Sequence, residues 1–102
     1  MTARGALRLS GKDNVATLLE DAAPGTKVLI HLGKETSTVD AGESIPFGFK
    51  IAVTDIARGA AIIKYGETIG IASRDIKKGE MVHVHNLEGA RGRGDLTKGD
   101  VK

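Results

Sequence analysis

Residues 55–62 read Asp-Ile-Ala-Arg-Gly-Ala-Ala-Ile, and residues 75–82, twenty positions later, read Asp-Ile-Lys-Lys-Gly-Glu-Met-Val. Asp, Ile, Gly and a β-branched residue recur in step, and residues 21–28 form a weaker copy that lacks only the Ile. In such a unit the Asp accepts backbone hydrogen bonds, the Gly takes a positive φ, and the chain then enters a strand. The repeat predicts pseudo-symmetric halves whose turn-bearing strands cross, rather than a solenoid, which needs at least about three stacked repeats.

The segments around these turns also predict strands. Alternating residues 27–32, a turn at Gly33 and Lys34, and a Thr-rich run over 36–39 predict a hairpin. Residues 45–49 interrupt this pattern. Four further short strands are expected, over residues 51–53, 61–64, 69–72 and 81–85.

One short helix is predicted near the N-terminus, over residues 13–20. Asp13 is suited to cap its first turn, and Val15 and Leu18 fall on one face at helical spacing. Pro24 then ends the segment. The expected fold class is therefore mostly β, with this helix as its one exception.

The composition excludes several classes of protein. A chain of 102 residues is one domain, and its net charge of +2 is spread along the sequence, which argues against a nucleic-acid binder. No cysteine is present to form a disulfide or a thiolate metal site. Residues 1–10 contain no secretory signal, no apolar run is long enough to span a membrane, and no P-loop or hydrolase motif occurs. We therefore expect a cytoplasmic protein.

The densest group of polar side chains is His-Val-His-Asn, residues 83–86. If these residues continue a strand, His83 and His85 project from one face while Val82 and Val84 point to the core. Two adjacent imidazoles can bind a divalent metal together with a third ligand from elsewhere, hold an anion, or exchange protons with a substrate. The alternative is that both histidines simply occupy an exposed strand face.

A second candidate group is Lys64 and Tyr65, which are followed by a glycine. A lysine beside a tyrosine hydroxyl suits a carboxylate ligand, although an ordinary lysine at a strand end is the alternative. Lys50 and His31 are interpreted as solvated side chains. The Gly- and Arg-rich residues 91–94 give only a weak indication of an anion or RNA contact.

Three segments together resemble a known family: residues 47–52, 61–70 and 76–87. The Ile-Lys-Tyr-Gly and His-Val-His-Asn pieces make the likeness specific. The chain resembles, over roughly residues 14–96, the N-terminal SAF domain of the altronate and galactarate dehydratase family, also called the UxaA family, which includes the small subunit of sulfolactate sulfo-lyase. Residues 91–96 look like the junction of members in which this domain is a separate polypeptide.

The resemblance implies a β-clip fold, related to type III antifreeze proteins. It further implies the small subunit of a metal-dependent sugar-acid hydro-lyase that is inactive without a large catalytic subunit. The metal is expected to be Fe²⁺, Mn²⁺ or Mg²⁺ and to be shared with that partner. A non-enzymatic carbohydrate-binding module and a purely structural cap are the alternatives.

Residue roles follow from the resemblance as hypotheses. His83 and His85 are expected to be catalytic groups or metal ligands, and Lys64, Tyr65 and Asn86 to contact the sugar acid. The domain boundaries are placed at an N-terminal extension over residues 1–12, the SAF domain over 13–88, and a mobile tail over 89–102. Self-association through exposed strand edges is a further option, and neither nucleic acid nor membrane is an expected partner.

Overall fold

A computed structural model describes residues 4–89, and within them it contains nine β-strands and no helix. The mostly-β fold class is thus confirmed. The predicted tail, with its Arg-Gly motif at residues 91–94, lies outside the described residues except for Gly89. No helix that is long and apolar enough to cross a membrane occurs in the described part of the chain. The strands are β1 (Arg4–Leu7), β2 (Val15–Leu18), β3 (Lys27–Leu32), β4 (Glu35–Asp40), β5 (Lys50–Ala52), β6 (Ala61–Lys64), β7 (Glu67–Ala72), β8 (Met81–Val82) and β9 (Leu87–Glu88).

The strands form two sheets. The larger has six strands in the order β4-β3-β1-β2-β5-β8, and the smaller has three in the order β6-β7-β9. Strand β1 lies inside the larger sheet, parallel to β3 and antiparallel to β2. The predicted domain boundaries remain a prediction, but this central strand falls within residues 1–12, which were expected to be an extension.

Two apolar cores lie on opposite faces of the larger sheet. Along β2, Ala16 and Leu18 belong to the first core, while Val15, on the other face, belongs to the second. The second core also contains Ile62 and Ala72 from the smaller sheet. The smaller sheet therefore covers one part of one face of the larger sheet.

The predicted helix over residues 13–20 is wrong, because this segment contains β2. Val15 and Leu18 are both fully buried, but they serve different cores, as is usual for a strand that is covered on both faces. Asp13 caps no helix; its carboxylate instead accepts hydrogen bonds from the backbone of the preceding loop and from the distant Gly66. The side-chain amide of Asn14 bonds to the backbone of β6, accepting from Ile63 N at 2.8 Å.

The predicted hairpin is confirmed. Strands β3 and β4 pair in antiparallel register from Lys27 opposite Asp40 to Leu32 opposite Glu35. The turn between them contains Gly33 at a φ of 59°.

The predicted 20-residue repeat is a pair of interlocked loops. Ile56 and Ile76 exchange two backbone hydrogen bonds, each of 2.8 Å. Gly59 and Gly79, three residues beyond each Ile, have φ values of 88° and 95°. The positive φ that the repeat predicts for its glycine is therefore present in both copies.

Each loop of this pair is closed by the aspartate of the other. Asp55 Oδ1 accepts a hydrogen bond from Lys78 N at 2.8 Å, and Asp75 Oδ1 accepts one from Arg58 N at 2.9 Å. These carboxylates thus bond across the pseudo-twofold relation, rather than within their own turns.

A second interlocked pair exists, which the sequence interpretation missed. Residues 45–49 do not interrupt the pattern: Ala22 and Ile45 exchange two 2.8 Å backbone bonds, and Asp21 Oδ1 accepts from Phe47 N at 2.8 Å. The fourth copy has Ser44 in place of Asp. The residue whose N–H would bond to position 44 is Pro24, which has none, so no carboxylate is required there.

Candidate functional site

Strand β8 ends at Val82, so the predicted strand through His85 is wrong. Residues 83–86 instead form a β-turn, which we call the histidine turn, closed by a 3.0 Å bond from Asn86 N to His83 O. Val82 is buried as expected, but Val84 is 78% exposed at the tip rather than in the core. The two histidines therefore do not share a strand face.

Asn86 causes the strand to end. Its Oδ1 accepts from His83 N at 2.9 Å, and its Nδ2 donates to Met81 O at 2.9 Å. Asn side chains compete with strand pairing when they bond to nearby backbone groups in this way. Asn86 is only 3% exposed, and its predicted contact with substrate stays a prediction.

The two imidazoles have different surroundings. The ring of His83 lies 4.7 Å from the ring of Phe49, measured between centroids, and Phe49 packs against the first core. His85 is exposed and lines a polar depression of about 290 Å³ beside Glu43 and Arg74. Arg74 also donates to the backbone oxygen of His85 at 3.2 Å.

The acidic side chains of this depression already bond to the backbone. Glu43 accepts from Met81 N at 3.0 Å, and Glu80 accepts from Lys77 N at 2.9 Å. Within residues 5–89, no group of three or more His, Asp or Glu side chains is placed to hold a metal ion. A catalytic metal usually takes about three protein ligands. The described residues of this chain do not build a metal centre by themselves, and the predicted roles of His83 and His85 as ligands stay predictions.

The second predicted group, Lys64 and Tyr65, lies at the turn between β6 and β7. Tyr65 has a φ of 56° and Gly66 a φ of 81°. A positive φ at both central positions is typical of a tight hairpin turn, where Gly or Asn is favoured and a bulky residue is strained. Strain of this kind clusters at functional sites, so it makes Tyr65 a candidate site residue.

Asp13 holds this strained turn from a distant part of the chain. Its carboxylate accepts from Gly66 N at 2.7 Å, from Leu9 N at 3.1 Å and from Ser10 N at 3.3 Å. Burial acts to raise the pKa of Asp13, but these backbone bonds, with a further one from Tyr65, outweigh it and lower the pKa below its ordinary value. The carboxylate is thus held in its charged form.

Four polar side chains meet beside this turn, and we call them the lysine–tyrosine cluster: Thr17, Lys50, Lys64 and Tyr65. The Tyr65 hydroxyl donates to Thr17 Oγ1 at 3.4 Å, and Lys64 Nζ lies 4.9 Å from the centre of the Tyr65 ring. Lys50 is the direct cross-strand partner of Thr17.

The sequence interpretation missed Lys50 by treating it as solvated. Its side chain is partly buried, and burial together with the charge of Lys64 lowers its pKa. Its position between Phe49 and Ile51, which pack on the first core, was a usable signal, because alternation then directs Lys50 to the opposite face.

The predicted site residues thus fall into two groups. Thr17 and Lys50 lie on the face of the larger sheet that carries the second core, while His83 rests on Phe49 on the first-core side. Strand β8, which leads into the histidine turn, is an edge strand paired with β5. Both groups therefore lie near one sheet edge, but not on a single face.

Comparison with known proteins identifies the family. Residues 4–90 match the family described as the altronate/galactarate dehydratase SAF domain. The chain is 44% identical to altronate dehydratase of Escherichia coli strain K12 over an alignment of 80 residues. That alignment covers 78% of this chain and 15% of the dehydratase. It is 34% identical to galactarate dehydratase (L-threo-forming) of the same organism over an alignment of 76 residues. This second alignment covers 74% of the chain and 14% of that enzyme.

A shorter relative is the (2R)-sulfolactate sulfo-lyase subunit alpha of Chromohalobacter salexigens, 43% identical over 49 residues. That alignment covers 48% of this chain and 52% of the subunit. The chain thus spans about half of this subunit and about one seventh of the two dehydratases. Two of these relatives are dehydratases by name, and the third is a sulfo-lyase subunit. Because the family match extends over nearly all of the described residues, this chain belongs to the altronate/galactarate dehydratase SAF domain family.

Proposed function

We propose that this chain acts as the small subunit of a sugar-acid dehydratase, supplying side chains to a larger catalytic subunit of the UxaA type. The observation that carries the proposal is the histidine turn, which presents His85 to solvent at a sheet edge and is fixed by the buried Asn86. The two interlocked loop pairs support the finer assignment of the fold as a β-clip.

The small share of a hydro-lyase that this chain spans supports the proposed partner. It spans 15% of altronate dehydratase, and one relative is by its name a subunit. Four pockets among the described residues are open depressions, and none of these four is lined by His83 or Tyr65. A second polypeptide that covers the edge beyond β8 would close a cleft around the histidine turn.

The chemistry of water loss explains what these residues would contribute. Removal of the proton α to a carboxylate builds negative charge that must be stabilised, and the leaving hydroxyl must be protonated. His83 and His85 serve as proton-transfer groups in this proposal, and Lys64 and Tyr65 contact the carboxylate or hydroxyls of the sugar acid. The divalent metal implied by the resemblance, if one takes part, needs most of its ligands from the large subunit.

Reconstitution tests the proposal. The chain is co-expressed with a UxaA-type large subunit, and the purified pair is assayed with altronate, galactarate and sulfolactate, with Fe²⁺, Mn²⁺ or Mg²⁺ restored after chelation. His83→Ala and His85→Ala should each lower kcat by at least ~10²-fold, the usual scale for a positioned proton-transfer group.

Val84→Ala is the matched control, because Val84 lies between the two histidines and is 78% exposed. Its kcat should stay within a few-fold of wild type. Activity of both histidine variants at the same level as Val84→Ala would remove the histidine turn from the catalytic site, and failure of the two chains to form a complex would contradict the small-subunit role.

A further inference from the structure

The lysine–tyrosine cluster carries two positive charges that no described carboxylate compensates. Within residues 5–89, no carboxylate lies within ion-pair distance of Lys50 or Lys64. Lys27, in contrast, pairs with Asp40 at 3.5 Å although both are well exposed. Two ammonium groups that repel each other at a partly buried position are costly unless an anion joins them.

The charged groups around the cluster leave one side open to a ligand. Glu67, which is opposite Lys64 across the turn, is exposed and makes no ion pair with it. On the larger sheet the row continues from Lys50 through Thr17 and Leu7 to His31, and this row contains no acidic residue. An anion that approaches along this row therefore meets Lys50, Thr17 and His31 and no carboxylate of the row itself.

The arrangement of donors suits an oxyanion. Lys50 and Lys64 are ammonium donors from different strands. The hydroxyls of Thr17, which pairs with Lys50, and of Tyr65, whose ring lies 4.9 Å from Lys64 Nζ, are 3.4 Å apart. Asp13 holds the strained backbone of Tyr65 and Gly66 and thereby fixes the turn beside Lys64. The cluster is thus preorganised by contacts with the remainder of the fold.

We propose that Lys50, Lys64, Thr17 and Tyr65 form a receptor for one carboxylate of a small organic acid, with Lys50 as its second cation. This inference rests on the proposed function for the identity of the acid, since the sugar acid is the carboxylate that the partner subunit would supply. Lys50 is a substrate-positioning residue in this assignment, and the receptor is separate from the histidine turn. Burial and the charge of Lys64 lower the pKa of Lys50, and a bound anion would act to raise it again.

Lysine side-chain NMR of the full 102-residue chain tests the receptor without any enzyme activity. Galactarate is titrated into protein labelled at lysine, with galactitol as the uncharged analogue and inorganic phosphate as a second oxyanion. Galactarate should shift the Lys50 and Lys64 signals and raise the pKa of Lys50, while galactitol leaves both unchanged. A matching response to phosphate would show that the receptor accepts oxyanions in general.

Variants locate the effect. Lys64→Gln should raise the pKa of Lys50 in the absence of any anion, because a like charge is removed, and should weaken galactarate binding about fivefold, the equivalent of one partly solvated ion pair. Lys50→Gln should weaken binding to a similar extent. Lys27→Gln is the matched control, and its binding should equal that of wild type.

The outcomes separate this inference from the proposed function. No response of Lys50 to galactarate, or an unchanged Lys50 pKa in a folded Lys64→Gln variant, overturns the receptor even if the reconstituted pair is an active dehydratase. A response of Lys50 in a chain whose reconstituted pair lacks lyase activity supports the receptor and contradicts the proposed function.

Discussion

The histidine turn and the β6–β7 turn are both tight turns that expose polar side chains, but they are fixed in different ways. The histidine turn is stabilised by its own residue, Asn86, which bonds to positions three and five residues earlier in the chain. The β6–β7 turn is stabilised by Asp13, which is 53 residues away in sequence from Gly66. A local sequence pattern can therefore encode the first turn, whereas only the complete fold can produce the second.

The largest loss of stability is expected on replacing Asp13, the distant residue that supports the β6–β7 turn. Asp13→Ala removes the acceptor from Gly66 N, Leu9 N and Ser10 N at once. Hydrogen bonds to a charged acceptor are the stronger ones, and three donors lose theirs together, so the free energy of unfolding should fall by about 3 kcal/mol. Urea denaturation measures this, and a loss below about 1 kcal/mol would show that the turn does not depend on Asp13.

Loss of Asn86, which supports the histidine turn locally, should lower the free energy of unfolding by less than loss of Asp13. Asn86→Ala leaves His83 N and Met81 O without their side-chain partners, for an expected loss of about 2 kcal/mol. Asn86→Asp keeps the acceptor and loses the donor, so its stability should lie between those of Asn86→Ala and wild type. Equal stability of all three proteins would contradict the role of Asn86 in ending β8.

Relief of the backbone strain at Tyr65 should stabilise the protein, whereas loss of either support destabilises it. Tyr65→Asn places a residue that tolerates a positive φ at the strained position, so the free energy of unfolding should rise by about 1 kcal/mol. The same change removes the Tyr65 hydroxyl that donates to Thr17, and it should therefore weaken anion binding. A variant that is less stable than wild type would mean that the packing of Tyr65 outweighs its backbone strain.

Acidification should change the free energy of unfolding least. Asp13 becomes only partly protonated at the pH values at which the protein is still folded. Its pKa is lowered in the folded state from an ordinary value of 3.8. The stabilisation is therefore complete well above pH 3.8 and is lost as the pH falls from there through the folded-state pKa. The difference in unfolding free energy between wild type and Asp13→Asn should shrink as the pH falls from about 5 to 3, as measured by urea denaturation. A constant difference would exclude this titration.

The same division between local and remote support explains what could be predicted from the sequence. The hairpin of β3 and β4 and the positive φ of the repeat's glycines depend on local patterns, and both were confirmed. The helix over residues 13–20 was wrong, because Val15 and Leu18 at helical spacing also suit a strand with two covered faces. Nothing local distinguishes a helix-capping Asp13 from one that supports a turn far along the chain.

The candidate site was predicted in part for the same reason. Lys64, Tyr65, His83 and His85 stood out by residue type, but their grouping depended on where β8 ends, and Asn86 determines that point. Lys50 looked ordinary in sequence. Its importance arises from the neighbouring charge of Lys64, which comes from a different sheet.

The missing N–H of Pro24 couples two positions that are far apart in the chain. Because the loop that contains Pro24 offers no donor there, Ser44 is released from the acceptor role that Asp55 and Asp75 have in the other pair. Replacing Pro24 with a residue that has an N–H would create a donor in need of an acceptor at position 44. Substitutions at these two positions should therefore covary among homologous sequences, with an acidic residue at 44 wherever proline at 24 is lost.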